Sequence, residues 1–90
     1  MACIRISPEQ VRQVAAQFAQ SASQSEEMIN RLANAINAMQ PEWEGMTSQR
    51  FYGDFQQWRG QMQQFTELLR GINQQLNQIA DRFAAADQQG

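Results

Sequence analysis

The sequence predicts an all-α protein, an antiparallel two-helix hairpin that dimerises into a four-helix bundle. Apolar residues recur every three or four positions in both halves of the chain, which is the period of a helix with one buried face. Pro41 and Gly45 interrupt this pattern near the midpoint of the 90 residues and mark a turn. We therefore expect a single domain over residues 1–90. Its parts are helix one at about 8–40, the turn at 41–46 and helix two at about 47–86.

Helix one has a clear start and end. The run Ser7-Pro8-Glu9-Gln10 offers a serine N-cap, a proline at the first helical position and a glutamine three residues after the cap. This is the pattern of a capping box. Apolar or small residues then follow at helical spacing from Val11 to Met39. Because the residue before a proline avoids helical geometry, Pro41 ends the helix at Gln40.

Helix two has the more regular pattern, with apolar residues alternately four and three positions apart. This 3.5-residue repeat is typical of the seam of a coiled coil or helical bundle. We expect Thr47 to be the N-cap of this helix. The expected hairpin and dimer seam comprises Phe51, Phe55, Trp58, Met62, Phe65, Leu69, Ile72, Leu76 and Ile79, and the spacing continues to Phe83.

The short turn fixes how the two helices pair, because a short connection between long helices makes them antiparallel. Folding the chain about the turn pairs residues whose numbers add to about 90. Leu32 then faces Trp58. Ser25 faces Phe65 and Ala22 faces Leu69, so that in these two pairs a bulky residue meets a small one. Several apolar residues lie beside this seam, where two helices would leave them exposed and a second copy would cover them. They include Tyr52, Leu68, Met28 and Ile29.

Composition argues against several classes of partner. Seven basic residues against nine acidic ones give a net charge of −2, and the arginines are scattered singly. Such a chain offers no basic patch for nucleic acid or for an anionic membrane surface. No apolar run reaches the roughly 18 residues of a membrane-spanning helix, and the N-terminus lacks the apolar stretch of a signal peptide. We expect no nucleic-acid partner and no stable membrane insertion, and the absence of a basic amphipathic face also disfavours a membrane-disrupting toxin.

Catalysis is also disfavoured. The chain has no histidine to act as a general base or metal ligand, and its one cysteine, Cys3, cannot form a thiolate cluster. No glycine-rich loop follows a strand. The adjacent Glu26 and Glu27 are typical of a solvated helix face. We therefore expect no catalytic site, no metal and no cofactor.

The turn Pro41-Glu42-Trp43-Glu44-Gly45 has two interpretations. In the first, the glycine permits a positive φ and Trp43 covers the end of the hairpin core. In the second, the turn is part of a surface that another molecule recognises. The residues of the turn alone leave both interpretations open.

Taken together, these features resemble the WXG family, the ESAT-like proteins of about a hundred residues exported by type VII (ESX) secretion systems. The resemblance lies in IRISPEQVRQVAAQF, WEGMTSQRFYGDF and ELLRGINQQLNQIADRF, with Trp43 and Gly45 as a W-x-G motif at mid-chain. It implies a hairpin that dimerises with itself or with a related WXG-type chain. It also implies export from the cytoplasm without a cleaved signal peptide, and a role as an effector or export partner. The implied partner in the secretion machine is its FtsK/SpoIIIE-like ATPase.

The family also tends to carry an export signal, Tyr-x-x-x-Asp/Glu, at the end of helix two. This chain has Phe83 and Asp87 at those positions, so the acidic residue matches and the tyrosine hydroxyl is missing. In an antiparallel dimer, Trp43 of one chain would lie beside Phe83 and Asp87 of the other. The alternative function is a cytoplasmic structural coiled-coil module that carries W-x-G without being exported.

Overall fold

The structure, a computed structural model, describes residues 6–43 and 45–89 and consists of two long helices joined by a turn. Helix α1 spans Pro8–Met39 and helix α2 spans Met46–Gln89. One turn of 3₁₀ helix, Gln40–Glu42, follows α1. The described residues contain no strand, so the prediction of an all-α hairpin is confirmed.

The predicted capping box at the start of α1 is present. The backbone N–H of Gln10 donates to Ser7 Oγ at 3.2 Å, and the backbone N–H of Ser7 donates to Gln10 Oε1 at 3.0 Å. Two N–H groups that have no partner within the helix are thereby satisfied. Pro8 has no N–H to satisfy, so it fits the first helical position without cost.

The prediction that Thr47 caps α2 is wrong, because α2 already begins at Met46. The backbone N–H of Gln49 donates to the carbonyl oxygen of Gly45 at 3.3 Å, which is the first bond of the helix. Gly45 has a φ of +118°, a conformation that other residues rarely adopt. The 3₁₀ turn and the positive φ of Gly45 lead the chain into α2, which starts directly after the glycine, so Thr47 lies within the first turn of the helix.

The two helices pack side by side into a rod of 68 × 20 × 20 Å. Most of the residues that α1 buries are small, and none of the described large side chains is fully buried. The buried residues are Val11, Ala15, Ala22, Ile29 and Ala33 on α1 with Phe55, Thr66 and Ala80 on α2. A core this thin gives a single hairpin only marginal stability.

Three hydrogen bonds across the seam fix the register of the helices. The Asn73 side-chain amide donates to the carbonyl oxygen of Ala15 at 2.6 Å, and the Tyr52 hydroxyl donates to that of Ile36 at 3.2 Å. The hydroxyls of Ser25 and Thr66 lie 2.8 Å apart. The paired residue numbers add to 88, 88 and 91, which agrees with the predicted register of about 90.

The rotation of α2 differs from the prediction. Thr66 lies opposite Ser25 where Phe65 was expected, and Phe65 is 49% exposed. The Thr66 hydroxyl donates to the carbonyl oxygen of Met62 at 3.1 Å and accepts from Ser25, so this buried group is fully hydrogen-bonded. The cost of burying a hydroxyl is thereby removed, which lets a polar residue occupy the seam.

The same rotation decides which of the apolar residues beside the seam are covered. Ile29 is buried and Tyr52 is half-buried, whereas both were expected to remain exposed. Met28 and Leu68 are exposed, as expected, at 42% and 61%. The hairpin by itself therefore leaves part of its apolar surface exposed.

Gly45→Ala is expected to lower the free energy of unfolding by about 1 kcal/mol, because alanine is strained at a φ of +118°. Nothing lies within 4 Å of the added Cβ, so the effect reports backbone strain without a steric clash. Gly53→Ala is the matched control: Gly53 lies within α2 with equally open space, and alanine should stabilise it by up to about 1 kcal/mol. Urea unfolding at one fixed protein concentration measures both. Equal effects of the two substitutions would show that the turn does not need its glycine.

Arg59→Met is expected to raise the free energy of unfolding by about 1 kcal/mol. Arg59 is half-buried beside the seam, and its Nε is buried without a hydrogen-bond partner among the described residues. Methionine keeps the apolar stem and removes the unpaired donor. The control is Arg50→Met, an exposed position on the same helix, where the change should stay within about 0.5 kcal/mol. A loss of stability at Arg59 alone would mean that its guanidinium makes a contact worth more than the buried Nε costs.

Candidate functional site

The W-x-G turn forms one end of the rod. Pro41 lies in the 3₁₀ turn, and the backbone N–H of Trp43 donates to the carbonyl oxygen of Gln40 at 3.4 Å. Trp43 is extended, with φ −112° and ψ 100°, and Gly45 then turns the chain into α2. Glu44, between them, lies outside the described residues. Gly45 therefore contributes a backbone conformation to the turn, whereas Trp43 contributes a side-chain contact.

That contact is an aromatic cluster on the first turns of α2. The centroid of the Trp43 ring lies 5.2 Å from that of Phe51 and 6.0 Å from that of Tyr52. Phe51 in turn meets Trp58 edge-on, with their ring centroids 6.1 Å apart. Tilted and edge-on pairs of this kind are favoured by the ring quadrupoles. The bond from the Tyr52 hydroxyl to Ile36 joins the cluster to α1. Trp43 packs against these rings while the residue as a whole stays partly exposed.

Phe83 and Asp87, the residues of the predicted export signal, belong to the part of α2 at the other end of the rod. Phe83 is 40% exposed near the end of α2. Asp87 lies in the same helix, but its side chain is outside the described part of the chain. With a rise of 1.5 Å per residue, the 40 residues between Trp43 and Phe83 separate them by about 60 Å. Within one chain, therefore, the turn and this pair do not form a common site.

One long flank of the hairpin carries ion pairs. Arg12 pairs with Asp81 at 2.5 Å, and Arg70 pairs with Glu67 at 2.7 Å and also with Glu26. Hydrogen bonds to Glu26 and then to Glu67 raise the pKa of the Arg70 guanidinium above its ordinary value. The guanidinium loses its charge, and with it these ion pairs, only when the pH rises through its raised pKa. At physiological pH Arg70 is therefore charged and the ion pairs are fully formed. These side chains are well exposed, so the ion pairs contribute little to the free energy of unfolding. They make this flank polar and solvated.

The other long flank is apolar, and we call it the apolar flank. Its large side chains are each between 37% and 61% exposed. They are Val14, Met28, Leu32 and Met39 on α1 with Trp58, Phe65, Leu68, Ile79 and Phe83 on α2. Near its middle lies a groove of about 480 Å³ whose walls include Ser21, Ser25, Met28, Met62 and Phe65. Exposed apolar surface that continues over the length of a small chain is typical of a protein interface.

The predicted seam of helix two falls into two lines in the structure. Phe55 is 6% exposed, and Met62, Leu69 and Leu76 are half-buried against α1. Trp58 and Phe65 are each 49% exposed and Ile79 is 37% exposed, while Phe51 and Ile72 are half-buried. The first line lies within the hairpin. In the second line, Trp58, Phe65 and Ile79 belong to the apolar flank, and the half-buried Phe51 and Ile72 border it.

Sequence reasoning missed Thr66 and Asn73, because an apolar template skips polar residues. A usable signal was nevertheless present. Tyr52, Thr66 and Asn73 belong to one seven-residue series, and each can offer a hydrogen bond from a seam position.

Two other features, a metal-ligand cluster and a membrane-spanning helix, are absent from the described part of the chain. No group of three or more His, Cys, Asp or Glu side chains there could hold a metal ion. None of its helices combines the length and the apolar character needed to cross a membrane. Cys3 lies outside the described residues.

Comparison with known proteins gives consistent results. Residues 3–88 match the family described as WXG100, proteins of 100 residues with WXG. The chain is 36% identical over 89 residues to type VII secretion system extracellular protein A of Staphylococcus aureus strain USA300, covering 99% of this chain and 92% of that one. The crystal structure of the secreted protein EsxB from Bacillus anthracis strain Sterne has a TM-score of 0.86 and 39% identity, covering 97% of this chain and 99% of that one. The crystal structure of EsxA from Geobacillus thermodenitrificans has a TM-score of 0.86 and 34% identity, and the match covers 97% of this chain and 95% of that one.

The match extends over nearly the whole chain, and these solved structures share its fold. This chain therefore belongs to the WXG100 family, and the matched residues include the sequence Trp43-Glu44-Gly45.

Proposed function

We propose that this protein is a small, non-catalytic substrate of a type VII (ESX) secretion system, exported as a helical-bundle dimer. The observation that supports this most directly is its full-length similarity to proteins described as extracellular or secreted. In this proposal the chain is cytoplasmic before export and leaves without a cleaved signal peptide. It acts by binding, as an effector or as the export partner of another cargo.

The apolar flank supports the dimer. The hairpin buries mainly small residues of α1, while its larger apolar side chains remain outside. Packing this flank against a second hairpin would give a four-helix bundle with a core of ordinary thickness. The second hairpin is another copy of this chain or a related WXG-type chain.

In the proposal, Trp43 of one subunit and Phe83 with Asp87 of the other form one recognition surface for the FtsK/SpoIIIE-like secretion ATPase. Two observations support it. Trp43 is partly exposed although it is held by its aromatic neighbours. In addition, α2 runs on to Gln89, whereas a register of about 90 sets Phe83 opposite Ser7 at the start of α1. In an antiparallel dimer, the projecting end of α2 would lie beside the partner's turn.

The dimer can be tested in solution. We expect the 10.3 kDa chain to be a dimer at micromolar concentration with strong helical circular dichroism. Phe65→Glu places a charge in the middle of the apolar flank, where burial would leave it unpaired, and should give a helical monomer. Gln56→Glu adds the same charge at an exposed polar position of α2 and should leave the dimer intact. Multi-angle light scattering reports the mass.

Two other outcomes of this experiment are informative. A wild-type protein that is a folded monomer would remove the dimer from the proposal. Loss of helicity in Phe65→Glu would show that the hairpin does not fold without its partner.

The recognition surface is tested by export. Trp43→Ala and Asp87→Ala should each abolish appearance in the culture supernatant of intact cells, while helicity and dimerisation stay nearly unchanged. The double variant should be no worse than either single variant, because groups that act as one unit are not additive. Gln56→Ala is the control for an exposed residue of α2. If the wild-type protein is absent from the supernatant of cells with a working secretion system, the cytoplasmic coiled-coil module becomes the better interpretation.

Mixed dimers decide whether the surface is shared between subunits. A dimer with both substitutions on one chain and none on the other has no complete surface of the shared kind. The unaltered chain would still have a complete signal if each signal belonged to a single chain. Normal export of this mixed dimer would therefore contradict the shared surface.

A further inference from the structure

Helix α2 carries a second regular row at the edge of the apolar flank. Its members follow one another at intervals of seven residues, which is two helical turns, so they share one edge of the helix. They are Asp54, Gln61, Leu68, Gln75 and Arg82, and we call them the edge row. All five are exposed, and Leu68 at 61% has the largest exposed fraction among the exposed large hydrophobic residues described.

The charged ends of the edge row have no partner inside the hairpin. The ion pairs in the described part of the chain involve other residues, so Asp54 and Arg82 are unpaired there. Arg82 differs in this from its neighbour Asp81, which is paired with Arg12 across the seam. Two opposite charges of one row therefore remain available to another molecule.

The order of residues in the edge row makes it complementary to itself. Leu68 is the centre, with a glutamine seven residues away on each side and an opposite charge fourteen residues away at each end. When the row is reversed and laid on itself, leucine meets leucine, glutamine meets glutamine, and aspartate meets arginine. Leu68 also lies near the middle of α2, which spans Met46–Gln89, so this alignment overlaps the helices over their full length.

We propose that the edge row sets the partner and the register of an antiparallel homodimer. The Leu68 side chains of two copies meet at the two-fold axis, and Asp54 of each copy pairs with Arg82 of the other. This inference rests on the dimer proposed above and names its second member, another copy of this chain.

The helix geometry is compatible with this arrangement. At 1.5 Å per residue, Asp54 and Arg82 lie about 21 Å from Leu68 in opposite directions along α2. A two-fold axis that passes through Leu68 at right angles to the helix brings each charge level with its opposite. The row adjoins Phe65 and the apolar groove at mid-hairpin. It therefore occupies the border of an apolar interface, where coiled coils place the charges that choose the partner.

The same charges disfavour other arrangements. In a parallel pair of α2 helices at the same level, aspartate would face aspartate and arginine would face arginine. A chain that lacks this order of charges would lose both pairs. The edge row thus favours self-association by attraction and disfavours the alternatives by repulsion.

Charge reversal tests the proposal. Asp54→Arg and Arg82→Asp each turn two attractive contacts of the dimer into repulsive ones, and each should raise the dimer dissociation constant about tenfold at low salt. Mixing the two single variants should restore association, as should combining both changes in one chain. Gln74→Arg adds a charge at an exposed position on a different face of α2 and should have little effect. Circular dichroism verifies that every variant is folded, and sedimentation gives the dissociation constants.

The deciding experiment mixes the wild-type chain with the Asp54→Arg, Arg82→Asp double variant and counts the species by native mass spectrometry. Antiparallel pairing predicts that the two chains sort into homodimers, because the mixed dimer has arginine on arginine and aspartate on aspartate. A parallel arrangement predicts the reverse, and an excess of mixed dimer would overturn the inference.

The remaining outcomes separate this inference from the dimer itself. If both single variants dimerise like the wild type while Phe65→Glu dissociates, the edge row has no part in a dimer that still exists. If the wild-type chain is monomeric at micromolar concentration, the inference fails together with the dimer.

Discussion

The hairpin depends on the close packing of α2 against a line of small residues on α1. Ala15, Ala22 and Ala33 are 0%, 1% and 4% exposed, and Ser25 continues the line with a hydroxyl. Because these side chains are short, polar groups of α2 can reach across to α1, including the Thr66 hydroxyl. The short side chains also limit the apolar area that the hairpin can bury, so the larger apolar side chains remain exposed on the apolar flank.

The polar contacts across this line determine which surface that is. Rotating α2 by one residue would turn Phe65 toward α1 and move Thr66 away from Ser25. The rotated seam would be more apolar, but it would break the three hydrogen bonds that cross the observed seam. The observed rotation keeps Phe65 and Trp58 on the apolar flank. The hydrogen bonds across the seam thus both fix the rotation of α2 against α1 and keep the apolar flank exposed.

The sequence predicts the local features and the register well, but it does not predict the rotation. The prediction of the capping box is correct because its signal lies within four residues. The predicted register is close to the observed one because a short turn leaves the two helices little freedom to slide. The apolar repeat of α2 combines the residues that pack on α1 with those at the apolar flank, so residues such as Met62 fit either rotation. The propensity of Thr47 alone predicts a cap at that residue, whereas in the structure the helix begins directly after Gly45 with its positive φ. For the candidate site, the motif identifies Trp43, but its packing on Phe51 and Tyr52 is visible only in the folded chain.

In the proposed dimer, the two ends of the rod have a functional role beyond stability. The turn presents Trp43 at one end, and α2 carries Phe83 about 60 Å away. A single hairpin keeps these residues apart however stable it is, because both helices are continuous between them. In the proposed arrangement only an antiparallel second chain brings them together. Since any separated subunit would then lack the complete surface, recognition of that surface by the secretion machine would also select for correct assembly.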